Sequence, residues 1–98
     1  MERRELTSPH PDAARWRPRL AAGVRMRMDP AAGRALLLFP EAALELNETA
    51  AAIIRLCDGR HPLAAIAGEL AREFGADAKI ADEVADFVAA MRARRLVE

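Results

Sequence analysis

The sequence lacks most of what membrane proteins and disulfide-stabilised proteins require. It holds a single cysteine, Cys57, among 98 residues, which excludes an internal disulfide and a cysteine-based metal cluster. No hydrophobic run approaches the roughly 18 residues that mark a membrane-spanning helix, and the residues after Met1 lack the apolar segment of a secretory signal. We therefore expect a cytoplasmic protein that does not associate with a membrane.

Catalytic groups are also scarce. Cys57 falls on the apolar stripe of a predicted helix, where a thiol acts as a small apolar side chain. The two histidines, His10 and His61, are far apart in the sequence and do not form a metal-binding pair. The five glycines are scattered singly, so the sequence has no glycine-rich loop for a phosphate. We therefore expect a protein that is not an enzyme and that needs no metal or cofactor.

Charge is balanced over the whole sequence but not along it. Fifteen basic and fifteen acidic residues cancel, whereas residues 1–34 hold eight arginines against four acids. Residues 1–17 have no hydrophobic periodicity and are interpreted as a flexible, solvated arm, and residues 18–98 as one domain. Trp16 is expected to anchor the arm onto this domain. The alternative is that the arm contacts an acidic partner or nucleic acid.

Alternating apolar and charged residues predict a small hairpin sheet. Residues 24–28 alternate in the manner of a half-buried strand, and residues 29–33 supply a turn. Residues 34–39 form a second strand, whose continuous apolar run suggests cover on more than one side. Pro40 cannot donate a backbone hydrogen bond and should end that strand, after which residues 42–46 form a third strand.

Three helices are predicted after the strands. Asn47 has the side chain of a helix N-cap, and Gly59 lies where a left-handed helix end is expected. Pro62 suits the first turn of a second helix, Gly75 its end, and Asp77 the N-cap of a third helix. The order βββααα predicts an α+β domain in which a three-stranded antiparallel sheet lies beside three helices.

Two kinds of binding protein fit this order. In a winged-helix DNA-binding protein the third helix enters the major groove, but its polar face here carries Asp82, Glu83 and Asp86, which phosphates would repel. Alternatively, the free edge of the third strand accepts a guest peptide, or this edge or the arm pairs with a second copy in a homodimer. The hydrogen bonds of backbone pairing barely offset the conformational entropy that a guest peptide loses. Binding therefore also needs buried apolar side chains, and we expect an apolar pocket between the third strand and the third helix.

The stretch from Leu36 to Gly59, LLLFPEAALELNETAAAIIRLCDG, carries a resemblance to a known family, together with GVRMRMD before it and IAGEL, DEVADFV and RRLV after it. Its most specific pieces are Pro40-Glu41, residues 46–50 and residues 57–59, in this order and spacing. Over about residues 18–98 the chain resembles the PqqD family, which are peptide chaperones of pyrroloquinoline quinone (PQQ) biosynthesis.

The resemblance implies a recognition element for ribosomally synthesised and modified peptides (RiPPs), a winged-helix-like domain that does no chemistry. Its family role is to bind the precursor peptide PqqA and present it to PqqE, a radical SAM enzyme that joins a Glu and a Tyr of the precursor. In related elements the leader peptide pairs with the third strand and packs against the third helix. Carried over by position, the peptide-binding residues are Ala42, Ala43, Leu44, Glu45 and Leu46 on the strand and Val84, Phe87, Val88 and Met91 on the helix.

Overall fold

The computed structural model describes residues 15–75 and 79–98. The elements, in chain order, are β1 (Arg25–Asp29), β2 (Arg34–Phe39), β3 (Ala42–Leu46), α1 (Glu48–Leu56), α2 (Leu63–Phe74) and α3 (Ile80–Ala93). The strands form one antiparallel sheet in the order β1-β2-β3. The predicted α+β fold and its βββααα order are confirmed.

Both reversals of the sheet follow from the residues at the turns. After β1, the Asp29 carboxylate accepts hydrogen bonds from the backbone N–H groups of Ala31 and Ala32, at 3.1 and 3.4 Å. After β2, Pro40 and Glu41 form a two-residue turn in which Glu41 has a positive φ of 68°. Proline fixes the φ that the first turn position needs, and Pro40 ends β2 as predicted.

The sheet buries one of its two faces. Ala35, Leu37 and Leu46 lie on this inner face and are buried, and α1 contacts β2 and β3. Leu36 and Leu38 alternate with them, so they point to the opposite face, where they are half-buried. The second cover expected for β2 is not found among the residues that the structure describes.

The helix ends follow the predicted signals closely. The Asn47 side-chain oxygen accepts a hydrogen bond from the backbone N–H of Ala50 at 2.8 Å, which confirms Asn47 as the N-cap of α1. Pro62 lies directly before α2, one place earlier than predicted, and Gly75 ends this helix with a φ of 103°. Asp77, the predicted N-cap of α3, lies outside the described residues.

The core joins the helices to the inner face of the sheet. Its fully buried members include Leu37 from the sheet, Ile66 and Leu70 from α2, and Val84 and Val88 from α3. The packing of α3 is mainly against α2. The position of α3 is therefore set by the helical layer more than by the sheet.

Trp16 fastens the residues before the sheet to the helices. Its backbone C=O accepts a hydrogen bond from the N–H of Leu63 at 2.7 Å, and the Arg92 guanidinium lies 4.7 Å from the centre of its ring. Trp16 packs against the core of the domain, which is the contact that the predicted anchor requires. The division into an arm (residues 1–17) and a domain stays a prediction, because residues 1–14 lie outside the described part.

The end of the chain returns to the same segment. Arg19 and Glu98 exchange two backbone hydrogen bonds, at 2.9 and 2.8 Å, and Leu20 forms an isolated bridge with Val97. Leu96 and Val97 are buried. The residues that follow α3 therefore complete the core beside that helix.

Candidate functional site

The sheet has two outer edges, and within residues 15–75 and 79–98 neither edge pairs with a further strand. On β1 the exposed side chains of Arg25 and Arg27 supply the charge with which proteins commonly protect a free edge. On β3 the exposed side chains are those of Ala42, Ala43 and Glu45. The β3 edge is therefore the less protected of the two.

The turn between β2 and β3 determines which backbone groups face the open side. A β-turn usually joins the C=O of its first residue, here Phe39, to the N–H of its fourth, here Ala42. Because hydrogen-bonded and non-hydrogen-bonded pairs alternate in an antiparallel ladder, we expect Ala43 and Glu45 to direct their N–H and C=O groups away from β2. Two residues of β3 thus offer main-chain groups to a guest strand.

The predicted strand residues differ in how much of their side chains is accessible. Ala42, Ala43 and Glu45 are exposed, Leu44 is half-buried, and Leu46 is only 4% exposed. Leu44 lies opposite Leu37 and so belongs to the inner face. On the strand, Leu44 is the large apolar side chain that a guest could cover, whereas Leu46 is a core residue.

The charge of Glu45 is held against β2. Its Oε2 atom lies 2.8 Å from Nη1 of Arg34, and both side chains are more than half exposed. Such an exposed pair contributes little to stability, about 0–1 kcal/mol. Its effect on the site is to draw the carboxylate toward the neighbouring strand.

The predicted residues of α3 fall into two groups. Val84 and Val88 are 0% exposed and Met91 is 5% exposed, so these three pack in the core of the unbound domain. Phe87 is half-buried and packs against the same core. Phe87 is therefore the predicted α3 residue with apolar surface left for a guest.

The position of Arg94 indicates which way Phe87 points. The Arg94 guanidinium lies 5.9 Å from the centre of the Phe39 ring, at the end of β2. Residues seven apart lie on nearly the same side of a helix, so Phe87 is on the flank of α3 that approaches the sheet. Arg92, which contacts Trp16, is on the opposite flank. Sequence reasoning did not select Arg94, although its spacing from Phe87 was a usable signal.

None of three concavities on the described surface is lined by residues of both β3 and α3. A concavity of about 580 Å³ lies instead at the other end of the sheet, beside the start of α1, and none of its lining residues belongs to α3. The pocket expected between β3 and α3 stays a prediction, for which Leu44 and Phe87 are the predicted residues with large and partly accessible apolar side chains. A guest would cover these side chains rather than fill a preformed cavity.

Cys57 and His61 are held in structural environments. Cys57 is 3% exposed, and burial, reinforced by the nearby Asp58 charge, raises the pKa of its thiol to about 12. Nδ1 of His61 lies 3.0 Å from Oδ1 of Asp58. That hydrogen bond, together with one from the backbone N–H of Arg60, lowers the pKa of Asp58 to about 2. These groups stabilise the turn between α1 and α2, and Cys57 lacks the accessible thiolate of a nucleophile.

Neither a metal site nor a membrane span is found in the described residues. No three His, Cys, Asp or Glu side chains of residues 15–75 and 79–98 come together in a way that could hold a metal ion. No helix in the same residues is long and apolar enough to cross a membrane.

Comparison with known proteins gives a consistent result. Residues 34–97 match the family described as "Coenzyme PQQ synthesis protein D (PqqD)". A "PqqA binding protein" of Rhizobium meliloti (strain 1021) is 40% identical over 81 residues, which cover 82% of this chain and 83% of that protein. One of Xanthomonas oryzae pv. oryzae (strain PXO99A) is 43% identical over 81 residues, with 82% of this chain and 88% of that protein covered.

Two solved structures are similar to this fold. The solution structure of the PqqD truncation of Methylobacterium extorquens PqqCD, described as a functional and stand-alone RiPP recognition element, has a TM-score of 0.70 and 35% identity, covering 83% of this chain and 87% of that one. The crystal structure of PqqD from Xanthomonas campestris has a TM-score of 0.53 and 38% identity, covering 79% and 87%.

Proposed function

This chain belongs to the PqqD family, and we propose that it is a non-catalytic, cytoplasmic peptide chaperone of PQQ biosynthesis that binds PqqA and presents it to the radical SAM enzyme PqqE. PqqA adds as a strand to the edge of β3 and packs against α3, in a winged-helix-like domain. The observation that carries the proposal is the weakly protected β3 edge, with the half-buried side chain of Leu44 beside it and that of Phe87 on α3. The names of the relatives, which describe PqqA binding, support the identity of the peptide.

The energetics explain why both an edge and a helix are needed. Ordering the backbone of a guest costs about 1–2 kcal/mol per residue, while each new hydrogen bond returns about 0.5–1.5 kcal/mol. Pairing with Ala43 and Glu45 alone therefore gives no net affinity. Covering an apolar side chain contributes about 1.5–3 kcal/mol when it becomes fully buried. Guest side chains that cover Leu44 and Phe87 supply the required surplus.

A proline substitution on each edge tests the binding mode directly. Ala43→Pro removes a backbone N–H that we expect to face the open side, so it should abolish strand addition at β3 while leaving the β2–β3 ladder intact. Met28→Pro is the matched control, because the same alternation directs the N–H of Met28 outward on β1. Both variants should keep the native far-ultraviolet circular dichroism spectrum.

We expect PqqA, titrated by isothermal calorimetry, to bind the Met28→Pro variant like the unchanged protein and to bind Ala43→Pro at least tenfold more weakly. In an NMR titration, the backbone amides of residues 42–46 and of α3 should shift. If only the Met28→Pro variant lost affinity for PqqA, the peptide site would lie at the β1 edge instead of the β3 edge. No binding of PqqA to the unchanged protein would refute the function itself.

Presentation to PqqE has a separate test. The joining of the Glu and Tyr side chains of PqqA by PqqE should require this protein and should fail with Ala43→Pro. Product formation that is equally fast without the protein would contradict the presentation step, even if PqqA binding is tight.

The alternatives predict different results. Asp82, Glu83 and Asp86 are exposed on α3, and their negative charges oppose binding to DNA phosphates. Tight and strongly salt-dependent binding to duplex DNA would nevertheless favour a DNA-binding role. A homodimer formed through the β3 edge would dissociate, or fail to form, when PqqA is present, whereas one formed through the arm would persist. Sedimentation with and without peptide distinguishes these cases.

A further inference from the structure

The outer face of the sheet carries an apolar centre that the peptide site does not use. Leu36 and Leu38 are neighbours on this face of β2 and are half-buried. Leu36 lies opposite Arg27 and Glu45, and Leu38 lies opposite Arg25 and Ala43. All four of these opposing residues are exposed. Their side chains flank the two leucines on a face whose residues alternate with those of the packed inner face. We call this surface the outer face.

We propose that the outer face is the docking surface for the enzyme that receives the peptide, PqqE in the proposed function, and this inference rests on that function. The partner surface has an apolar centre rimmed by carboxylates. Two leucines with solvent on one side of the central strand are the apolar element of such a surface. The cationic rim comes from β1.

The charges of the rim indicate the chemistry of the partner. Arg25 and Arg27 form no ion pair within residues 15–75 and 79–98, whereas Arg34 is already paired with Glu45. Unpaired arginines beside an apolar centre suit carboxylates that surround an apolar patch. The leucines disfavour a nucleic acid. A second copy suits the two β1 arginines poorly, because the Glu45 carboxylate that it presents on the same face is already paired with Arg34.

Strand addition at β3 links this face to the bound peptide. Side chains of a strand point alternately to the two faces of the sheet. A peptide paired with β3 would therefore direct every second side chain toward the helices and the others toward the outer face, beside Ala43 and Glu45. A partner docked on Leu36 and Leu38 would then contact the peptide and the domain together, so PqqA should increase the affinity for PqqE.

A charge-reversal pair with a matched control tests this surface. The test variant combines Arg25→Glu with Arg27→Glu, which reverses the charge of the rim without changing a core residue. The control combines Arg55→Glu with Arg60→Glu, which makes the same change of charge at exposed residues outside the sheet. PqqE binding is measured by biolayer interferometry with PqqA present, and PqqA binding is measured separately by calorimetry. Thermal unfolding confirms that both variants are folded.

We expect the Arg25/Arg27 variant to bind PqqA like the unchanged protein but to bind PqqE roughly tenfold or more weakly, because carboxylates then face carboxylates. The Arg55/Arg60 variant should bind both like the unchanged protein. If PqqE binds the Arg25/Arg27 variant with unchanged affinity, the assignment of the outer face as the docking surface is refuted, while presentation of PqqA to PqqE is not. If PqqE does not bind even the unchanged protein, presentation is refuted and the docking surface with it.

Discussion

Two neighbouring residues of α3, Phe87 and Val88, should respond in opposite ways to truncation. Both belong to the set that the family resemblance assigns to peptide binding. Val88 is 0% exposed, whereas Phe87 is half-buried on the flank that approaches the sheet. We expect Val88→Ala to lower stability and leave peptide affinity nearly unchanged, and Phe87→Ala to weaken peptide binding.

The magnitudes follow from burial. Val88→Ala removes about 1.6 kcal/mol of transfer free energy, and the cavity left behind brings the loss of unfolding free energy to about 2–3 kcal/mol. A domain of this size loses about 4–8 °C in Tm per kcal/mol, but with a stability of about 5–15 kcal/mol it stays folded. Covering the accessible part of Phe87, about a third of its surface at most, contributes about 0.5–1 kcal/mol to binding, so its removal should raise the Kd for PqqA about two- to fivefold.

Urea denaturation and calorimetric titration with PqqA measure the two effects separately. Asp86→Ala is the control, because Asp86 is exposed on the polar side of the same helix and should change neither quantity appreciably. The reasoning fails if Val88→Ala, measured below its melting temperature, raises the Kd as much as Phe87→Ala does. That result would mean that α3 turns or opens when the peptide binds, so that burial in the free domain does not identify the contact residues.

Three further predictions concern the parts of the fold that hold the site. Asn47→Ala removes the hydrogen bond to the N–H of Ala50 and should lower the unfolding free energy in urea by about 1 kcal/mol, while Asn47→Asp retains it. The pKa of Asp58 is lowered to about 2, so the stabilisation from its carboxylate is complete above about pH 4 and is lost as the pH falls toward 2. In acid-unfolding curves, the Asp58→Asn variant should therefore lose less stability over this interval than the unchanged protein. Trp16→Ala and Arg92→Ala should show a coupling free energy of about 0.5–1 kcal/mol in a double-mutant cycle, and strictly additive effects would contradict a direct ring–guanidinium interaction.

Local patterns were sufficient to predict the order of the elements. Asn47 and Gly75 mark helix boundaries through short-range hydrogen bonding and backbone conformation, and Pro40 ends β2 because it lacks an N–H. These effects depend on a few consecutive residues. The anchoring of Trp16 was also predictable, since a lone aromatic residue in a polar segment gains most by packing against the domain.

The division of α3 into core and accessible residues was not predictable from the sequence. Val84, Phe87, Val88 and Met91 all lie on one broad apolar stripe, and helical spacing does not reveal its limits. The burial of three of them depends on α2, α1 and the returning residues near Val97, which are distant in the sequence. Likewise, the apolar run of β2 suggested cover on both faces, whereas in the described residues the helices pack against the inner face.

The half-buried leucines on the outer face of β2 and the weakly protected edge of β3 are features of the same sheet, and strand addition would connect them. Leu38 lies directly opposite Ala43, so a strand paired with β3 would place its own side chains one strand away from Leu38. A guest chosen for strand addition must then satisfy two surfaces, with apolar side chains toward Leu44 and Phe87 and the alternate ones toward the outer face. Peptide variants that change only the outward set should keep their affinity for this protein and lose the gain in PqqE affinity, which separates recognition by the domain from recognition by the enzyme.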